Sequence, residues 1–408
     1  MTYEEALKKL QDCGQTQLLR YYDELSDESK AKLLKEIEET DLQVVDSINH
    51  REELNRRGVI TPITSMELPE IEANKEKFLE VGIDAIKKGE VGAVLLAGGM
   101  GTRLGSDNPK GMYDIGITKH VYIFQRLIEN LQDVVKMAGA YVPLYVMTSD
   151  KNNEATVNFF KEQNYFGYDP SYINFFKQDM APATDYTGKV LLEAKDKLST
   201  SPNGNAGWYI SMVKAGLDKD ARKRGIKYLN IFAVDNVLQR IADPVFVGAV
   251  KDGNFVSGAK VVRKAARDEK VGAMCLEDGR PSIVEYYDMT DELMDAKNEK
   301  GDPAYNFGVI LNYLFDIDEL DRIMEKKLPL HVVEKKIPYI DENAELVKPE
   351  EPNGYKFEQL VLDMIHQMSN ALPFEVVREK EFAPIKNKTG IDSVESARAL
   401  CKLNGIEL

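Results

Sequence analysis

The rhythm of apolar positions changes near residue 90. Before it, apolar residues recur at helical spacing. In SDESKAKLLKEIEETD, Leu33, Leu34 and Ile37 fall on one face, Ser26 stands where an N-cap belongs, and Asp27 and Glu28 occupy the first turn, where the helix dipole favours acids. Residues 3 to about 60 therefore read as helices. The prolines of TPITSMELPE break the pattern near residue 65, and a further helix, EANKEKFLEVGIDAIKKGE, leads into VGAVLLA. From residue 91 short apolar runs (VGAVLLA, VPLYVMTS, YINFFKQ, YLNIFAVD, SGAKVV) alternate with amphipathic segments (IFQRLIENLQDVVKMAG, NEATVNFFKEQ, SMVKAGLDKDARKRG). Strands alternating with helices predict an α/β fold with a mostly parallel sheet. Near-continuous apolar strands fit a sheet buried on both faces.

The first strong strand runs into a loop, VGAVLLAGGMGTRLGSDNPKGMYD over residues 91–114. Gly98, Gly99, Gly101 and Gly105 let the backbone take positive φ and come close to a ligand. Successive N–H groups in such a loop form a nest for an anion, and Arg103 and Lys110 add full charges. Glycines that serve only a tight strand-to-helix turn are the alternative. Two familiar motifs do not fit: no Ser or Thr follows a Gly-Lys pair as in GxxxxGK[ST], and Gly99, Gly101 and Gly105 miss the GxGxxG spacing. In parallel sheets ligands bind at the carboxyl ends of strands, so this loop is expected at the binding rim.

Composition narrows the ligand. The 408 residues carry a net charge of −15, which leaves no basic excess for a nucleic-acid backbone. A small polyanion stays open, because a few local cations and N–H groups suffice. Apolar residues at 43% and charged ones at 30% are ordinary for a soluble protein. Cys13, Cys275 and Cys401 are far apart, and His50, His120, His331 and His366 form no HxxxH pair, so neither a disulfide framework nor a zinc site is expected. The charged start MTYEEALKKLQDCGQ has no apolar core of a signal peptide, and no run reaches the roughly 20 apolar residues of a membrane span. A cytoplasmic protein without membrane partners is expected.

The run LAGGMGTRLG followed by PKGMYDIG resembles the nucleotidyltransferase signature of the UDP-sugar pyrophosphorylase family, most closely its UDP-N-acetylhexosamine branch. The resemblance continues in order through FFKQDMAPA, SPNGNAGWY, FAVDNVL, ADPVFVG, IVEYYD, YNFG, KKIPYID, PNGYKFE and EFAPIKN. It implies a Rossmann-like, GT-A-like nucleotidyltransferase domain: a mixed, mostly parallel sheet flanked by helices. The division it implies is a helical region over 1–75, the catalytic domain over 76–388 and a short C-terminal helix over 389–408. It also implies the reaction, joining UTP and N-acetylglucosamine 1-phosphate into UDP-N-acetylglucosamine and pyrophosphate with Mg²⁺. Arg103, Lys110 and Lys386 would neutralise phosphates at the reacting centre. Leu96, Ala97, Gly98, Gly99, Gly101 and Thr102 would lie against the nucleotide, and Gln178 would read the uracil edge. Pro202, Gly204 and Asn205 would line the uridine and sugar. Asp235, at the end of a predicted strand, would hold the metal or the ribose, unless it caps the following helix. Glu285 and Asn306 would hold sugar hydroxyls and the acetamido group, and Lys356 would stand near the site.

Three departures from the family pattern bear on the sugar and on assembly. Ala206 stands where relatives usually carry Gly, and Phe307 and Val309 stand where a small residue and a second Asn are usual. The first two features of the sugar loops leave UDP-glucose or broad UDP-sugar synthesis open. After PIKN only about 20 residues follow, where longer relatives continue into a β-rich domain, and a monomer is expected. A non-catalytic nucleotide-sugar sensor is disfavoured by the joint presence of Arg103, Lys110, Asp235 and Lys386. A NAD-dependent oxidoreductase is disfavoured by the glycine spacing.

Overall fold

The computed structural model describes residues 1–50, 57–326 and 328–408. The part of the predicted helical stretch at 51–56 lies outside the described residues. The chain forms two compact units: 1–56 with 179–207 and 328–361, and 57–178 with 208–327 and 362–408. They interleave in sequence, whereas the division from sequence has three consecutive stretches.

In the smaller unit, α1 (Tyr3–Asp12) starts at a capping box of Thr2 and Glu5. In α2 (Asp27–Glu39), Ser26 accepts the Ser29 N–H, as the sequence predicts. The stretch Leu42–His50 is 3₁₀ rather than α-helical. Alone, these helices would leave an apolar stripe in water. Leu10, Leu18, Leu33 and Ile37 instead bury against Val190, Leu192, Leu198 and Ile340, which is why later segments of chain join this unit.

The larger unit is built on a ten-stranded sheet. Its strands are β1 (Ile60–Thr61), β2 (Val91–Leu96), β3 (Leu144–Thr148), β4 (Ile173–Lys177), β5 (Tyr228–Ala233), β6 (Ser257–Arg263), β7 (Ala273–Glu277), β8 (Arg280–Val284), β9 (Phe307–Asp316) and β10 (Leu372–Glu375). The main path runs β1-β7-β9-β5-β2-β3-β4; β6 pairs with β9 and β10, and β8 with β7. From β5 to β4 every pairing is parallel. On the other side β9 runs antiparallel to β5, β6 and β7, and β8 antiparallel to β7. The sheet is thus mixed, with its parallel half carrying the glycine loop. All six residues of β2 and all five of β3 are buried, as their apolar runs require.

Helices α3 (Leu68–Lys87), α4 (Ile123–Ala138), α5 (Asn153–Glu162), α6 (Trp208–Lys214), α7 (Leu217–Lys223) and α8 (Pro244–Asp252) flank it. α3 and α8 meet backbone to backbone: a Cβ on Gly82 would stand 1.8 Å from the Pro244 carbonyl oxygen, and one on Gly248 equally close to that of Phe78. The run SMVKAGLDKDARKRG, expected as one helix, is broken between α6 and α7 by Gly216, whose φ is +72°. The tail forms a helix over Val394–Leu403, capped by Ser393, that buries Val394, Ala397 and Cys401 in the main core.

Candidate active site

The glycine loop leaves β2 at its carboxyl end. Leu96 is still in register with Ala233 of β5, and Ala97 is buried. The loop closes on itself: the Gly101 N–H donates to Asn108 C=O (2.8 Å), and the Lys110 N–H donates to Gly99 C=O (3.1 Å). Thr102 opens a 3₁₀ turn that ends on Gly105 at φ +75°. A Cβ at Gly99 would meet nothing within 4 Å, so that residue faces open space. A Cβ at Gly98 would stand 3.2 Å from Gln178 Oε1. Gln178 follows β4, is 8% exposed, and donates its N–H to Thr148 C=O (2.7 Å). Three parallel strands thereby bring Gln178 against the glycine loop.

Lys110 is drawn inward beside the end of β5, with Nζ 3.9 Å from Asp235 Oδ2. Burial pushes its ammonium below the usual lysine range; Asp235 opposes that shift, while repulsion from Lys386 and Arg103 adds to it. Arg103 lies exposed at the loop tip. Asp235 sits in a turn after β5 and caps no helix: α8 begins nine residues on, with Asp243 accepting the Val245 N–H. The Asp235 turn is zipped to the segment carrying Lys386. The Ile385 N–H donates to Asp235 C=O (2.9 Å), Asn236 Nδ2 donates to Glu381 C=O (2.7 Å), and Asn236 Oδ1 accepts the Ala383 N–H (2.9 Å). Lys386 Nζ is paired with Asp392 Oδ2 at 3.0 Å.

Two buried amides brace this turn from below. Gln239 Nε2 donates to the carbonyls of Ala233 (2.7 Å) and Asn236 (2.9 Å), and Asn312 Nδ2 to that of Arg240 (3.2 Å). Sequence reasoning missed both, along with Asn236, Asp392 and the amide of Asn152. Lone Asn and Gln residues carry no spacing signal, although Asn236 lies inside FAVDNVL and Gln239 directly follows it.

Glu285 and Asn306 stand in the antiparallel half. Burial raises the Glu285 carboxyl above the usual range, Asp288 adds to the shift, and Arg57 opposes it. Its Oε1 lies 3.2 Å from where a Cβ on Gly272 would be. Asn306 precedes β9, its C=O accepts the Lys264 N–H (2.9 Å), and it lines a cavity of about 290 Å³ with Lys264, Met289, Met294 and Tyr305. The Phe307 ring lies under the Arg263 guanidinium, 5.1 Å from centroid to carbon.

Pro202, Gly204, Asn205 and Lys356 belong to the smaller unit. There Gly204, at φ +89°, leaves no room for a side chain: a Cβ would fall 2.2 Å from Gln359 C=O. Asn205 Oδ1 accepts the Val361 N–H (2.9 Å), and the Ala206 N–H donates to Gln359 C=O (3.0 Å). Pro202 pairs opposite Met180, and Lys356 opposite Val333.

Among the described residues, no group of three or more His, Cys, Asp or Glu side chains could hold a metal ion. The single carboxylate of Asp235 fits a hard cation that brings most of its oxygen ligands with a phosphate. Among the same residues, no helix is long and apolar enough to cross a membrane.

The comparisons with known proteins agree with one another. Residues 40–405 match the family model described as UTP–glucose-1-phosphate uridylyltransferase. UDP-N-acetylhexosamine pyrophosphorylase-like protein 1 of Mus musculus is 37% identical over 412 residues, covering 94% of this chain and 80% of the relative. UDP-N-acetylglucosamine pyrophosphorylase of Saccharomyces cerevisiae is 37% identical over 415 residues, covering 95% and 87%. The solved structure of the uridine diphosphate N-acetylglucosamine pyrophosphorylase of Trypanosoma brucei, in complex with an inhibitor, superposes with a TM-score of 0.85 at 25% identity, covering 97% and 84%.

Proposed function

The chain belongs to the UTP–glucose-1-phosphate uridylyltransferase family, and from that premise we propose that it makes UDP-N-acetylglucosamine and pyrophosphate from UTP and N-acetylglucosamine 1-phosphate. The N-acetylated substrate is favoured because curated relatives at 36–37% identity carry that activity in their names. A phosphate oxygen of the sugar phosphate forms a bond to the α-phosphorus of UTP, and the bond from that phosphorus to the β-phosphate oxygen breaks in line. Such a transfer needs placement and charge neutralisation more than a side-chain nucleophile.

The observation that carries this reading is the convergence of Arg103, Lys110, Asp235 and Lys386 on the rim where the glycine loop leaves the parallel strands. In the proposal, loop N–H groups and Arg103 receive the phosphates, and Lys110 faces the bridging and leaving oxygens. A lysine mostly shielded from water is a stronger electrostatic partner there than on the surface. Lys386 leaves Asp392 for the reacting phosphates. Gln178, whose amide both donates and accepts, reads the uracil edge. Glu285 and Asn306 hold the sugar. For Pro202, Gly204, Asn205 and Lys356, contact with the uridine and sugar rests on the family resemblance of their motifs alone. Asp235 would hold Mg²⁺, which when bound neutralises phosphate charge and polarises the reacting phosphate.

Pyrophosphate release from UTP and Mg²⁺, measured in parallel with N-acetylglucosamine, N-acetylgalactosamine and glucose 1-phosphates, tests the reading. Release with the N-acetylated sugars and much less with glucose is expected. Release with glucose alone would move the substrate to UDP-glucose. A folded protein that binds UDP-sugar and releases no pyrophosphate would be a sensor.

A further inference from the structure

Asn152 lies between β3 and α5 and is completely buried. It occupies the N-cap position of α5, where an Asn side chain ordinarily accepts an N–H from its own helix. Here the side chain makes no such bond. Its Oδ1 accepts the Ser149 N–H (2.8 Å), and its Nδ2 donates to two carbonyls of the glycine loop, Ala97 (2.9 Å) and Gly99 (3.3 Å). The helix gives up a side-chain cap, and the loop gains a brace.

The consequence follows from the planarity of the peptide bond. In a trans peptide the C=O and the next N–H point in opposite directions. Pinning the carbonyls of Ala97 and Gly99 on Asn152 therefore turns the N–H groups of Gly98 and Met100 to the opposite face. Among the described residues neither N–H donates to a protein acceptor. Glycines make these peptide planes easy to rotate, so without a brace the loop could present a carbonyl to an anion as readily as an N–H. The Gly99 carbonyl also accepts the Lys110 N–H, so the same brace holds the backbone at Lys110.

We infer that Asn152 is a positioning residue that fixes the N–H face of the glycine loop toward the nucleotide phosphates. The inference rests on the proposed uridylyl transfer. On this inference Asn152 acts on UTP binding through the loop and makes no contribution to holding the sugar phosphate.

Asn152→Asp tests it in the full chain. The variant keeps the size and the acceptor for the Ser149 N–H, and exchanges the donor for an oxygen that faces both carbonyls. UTP affinity by titration calorimetry and both KM values are measured beside wild type, with a melting scan. Loss of two hydrogen bonds from a preorganised loop should raise the UTP dissociation constant and KM by about tenfold or more. The KM for the sugar phosphate should stay within about twofold. Asn152→Ser, short of both carbonyls, should give the same split if the Asp variant fails to fold. Unchanged UTP affinity in a folded variant, or an equal rise in both KM values, would overturn the inference and leave the proposed reaction standing. Wild type that fails to bind UTP would overturn both.

Discussion

The parallel and antiparallel halves of the large sheet solve different problems. In the parallel half, the glycine loop, Gln178 and the Asp235 turn leave the carboxyl ends of β2, β4 and β5, and main-chain and buried-amide hydrogen bonds hold them there. Ile385 is tied to Asp235, Lys110 to Gly99, and Ala383 to Asn236. Main chain and buried amides hold the backbone that carries Lys110, Asp235 and Lys386. In the antiparallel half, Glu285 and Asn306 follow and precede strands that bracket the inserted stretch 285–306, and a cavity of about 290 Å³ opens beside Asn306. That half can be re-lined by changing loop residues without moving the phosphate apparatus. Phe307 and Val309, where the sequence departs from the family resemblance, lie in β9 of that half.

The difference can be broken by substitution. The largest effect outside Lys110 is expected from Arg103→Ala: turnover should fall about 10²-fold, and by the same factor with every sugar phosphate, because it removes phosphate charge stabilisation. A loss confined to one sugar would place Arg103 at the sugar end instead. Asn306→Ala should raise the KM for N-acetylglucosamine 1-phosphate by about tenfold and leave the KM for UTP unchanged, since only a sugar-directed polar group is lost. Gln178→Ala should cost about tenfold in preference for UTP over CTP, read as the ratio of kcat/KM values; an unchanged ratio would place base reading elsewhere. The smallest effect is in pH. Lys110 is charged below its pKa and neutral above it, and burial lowers that pKa. The alkaline fall in kcat/KM for UTP should therefore begin below the ordinary lysine range of about 10.4. Bound phosphates restore the charged form, so the fall in kcat should lie at higher pH. Coincident limbs would show that Lys110 does not face the nucleotide.

Much of the parallel half was legible in the sequence. The run VGAVLLAGGMGTRLG has both the apolar continuity of a doubly buried strand and glycines where the chain must turn, and these are local signals. Asp235 was legible as a strand-end carboxylate, and the helix cap that competed for it is Asp243. The break at Gly216 was missed, because helical periodicity runs through it and only positive φ reveals the stop. The interleaving of residues 179–207 and 328–361 with the N-terminal helices was missed because it depends on long-range burial, which no local pattern carries. The amides of Asn152, Asn236, Gln239 and Asn312 were invisible for a related reason. A single Asn or Gln announces nothing until the carbonyls it satisfies are brought to it by the fold.

The most direct test of the phosphate rim is Lys110→Met, which keeps the stem and removes the charge. Pyrophosphate release is measured at saturating UTP and N-acetylglucosamine 1-phosphate, with a melting scan on the same preparation. The expected result is a loss of about 10³-fold in kcat with a melting temperature not reduced, since a partly desolvated ammonium has been replaced by an apolar group. A folded variant that turns over at the wild-type rate would contradict uridylyl transfer at this rim.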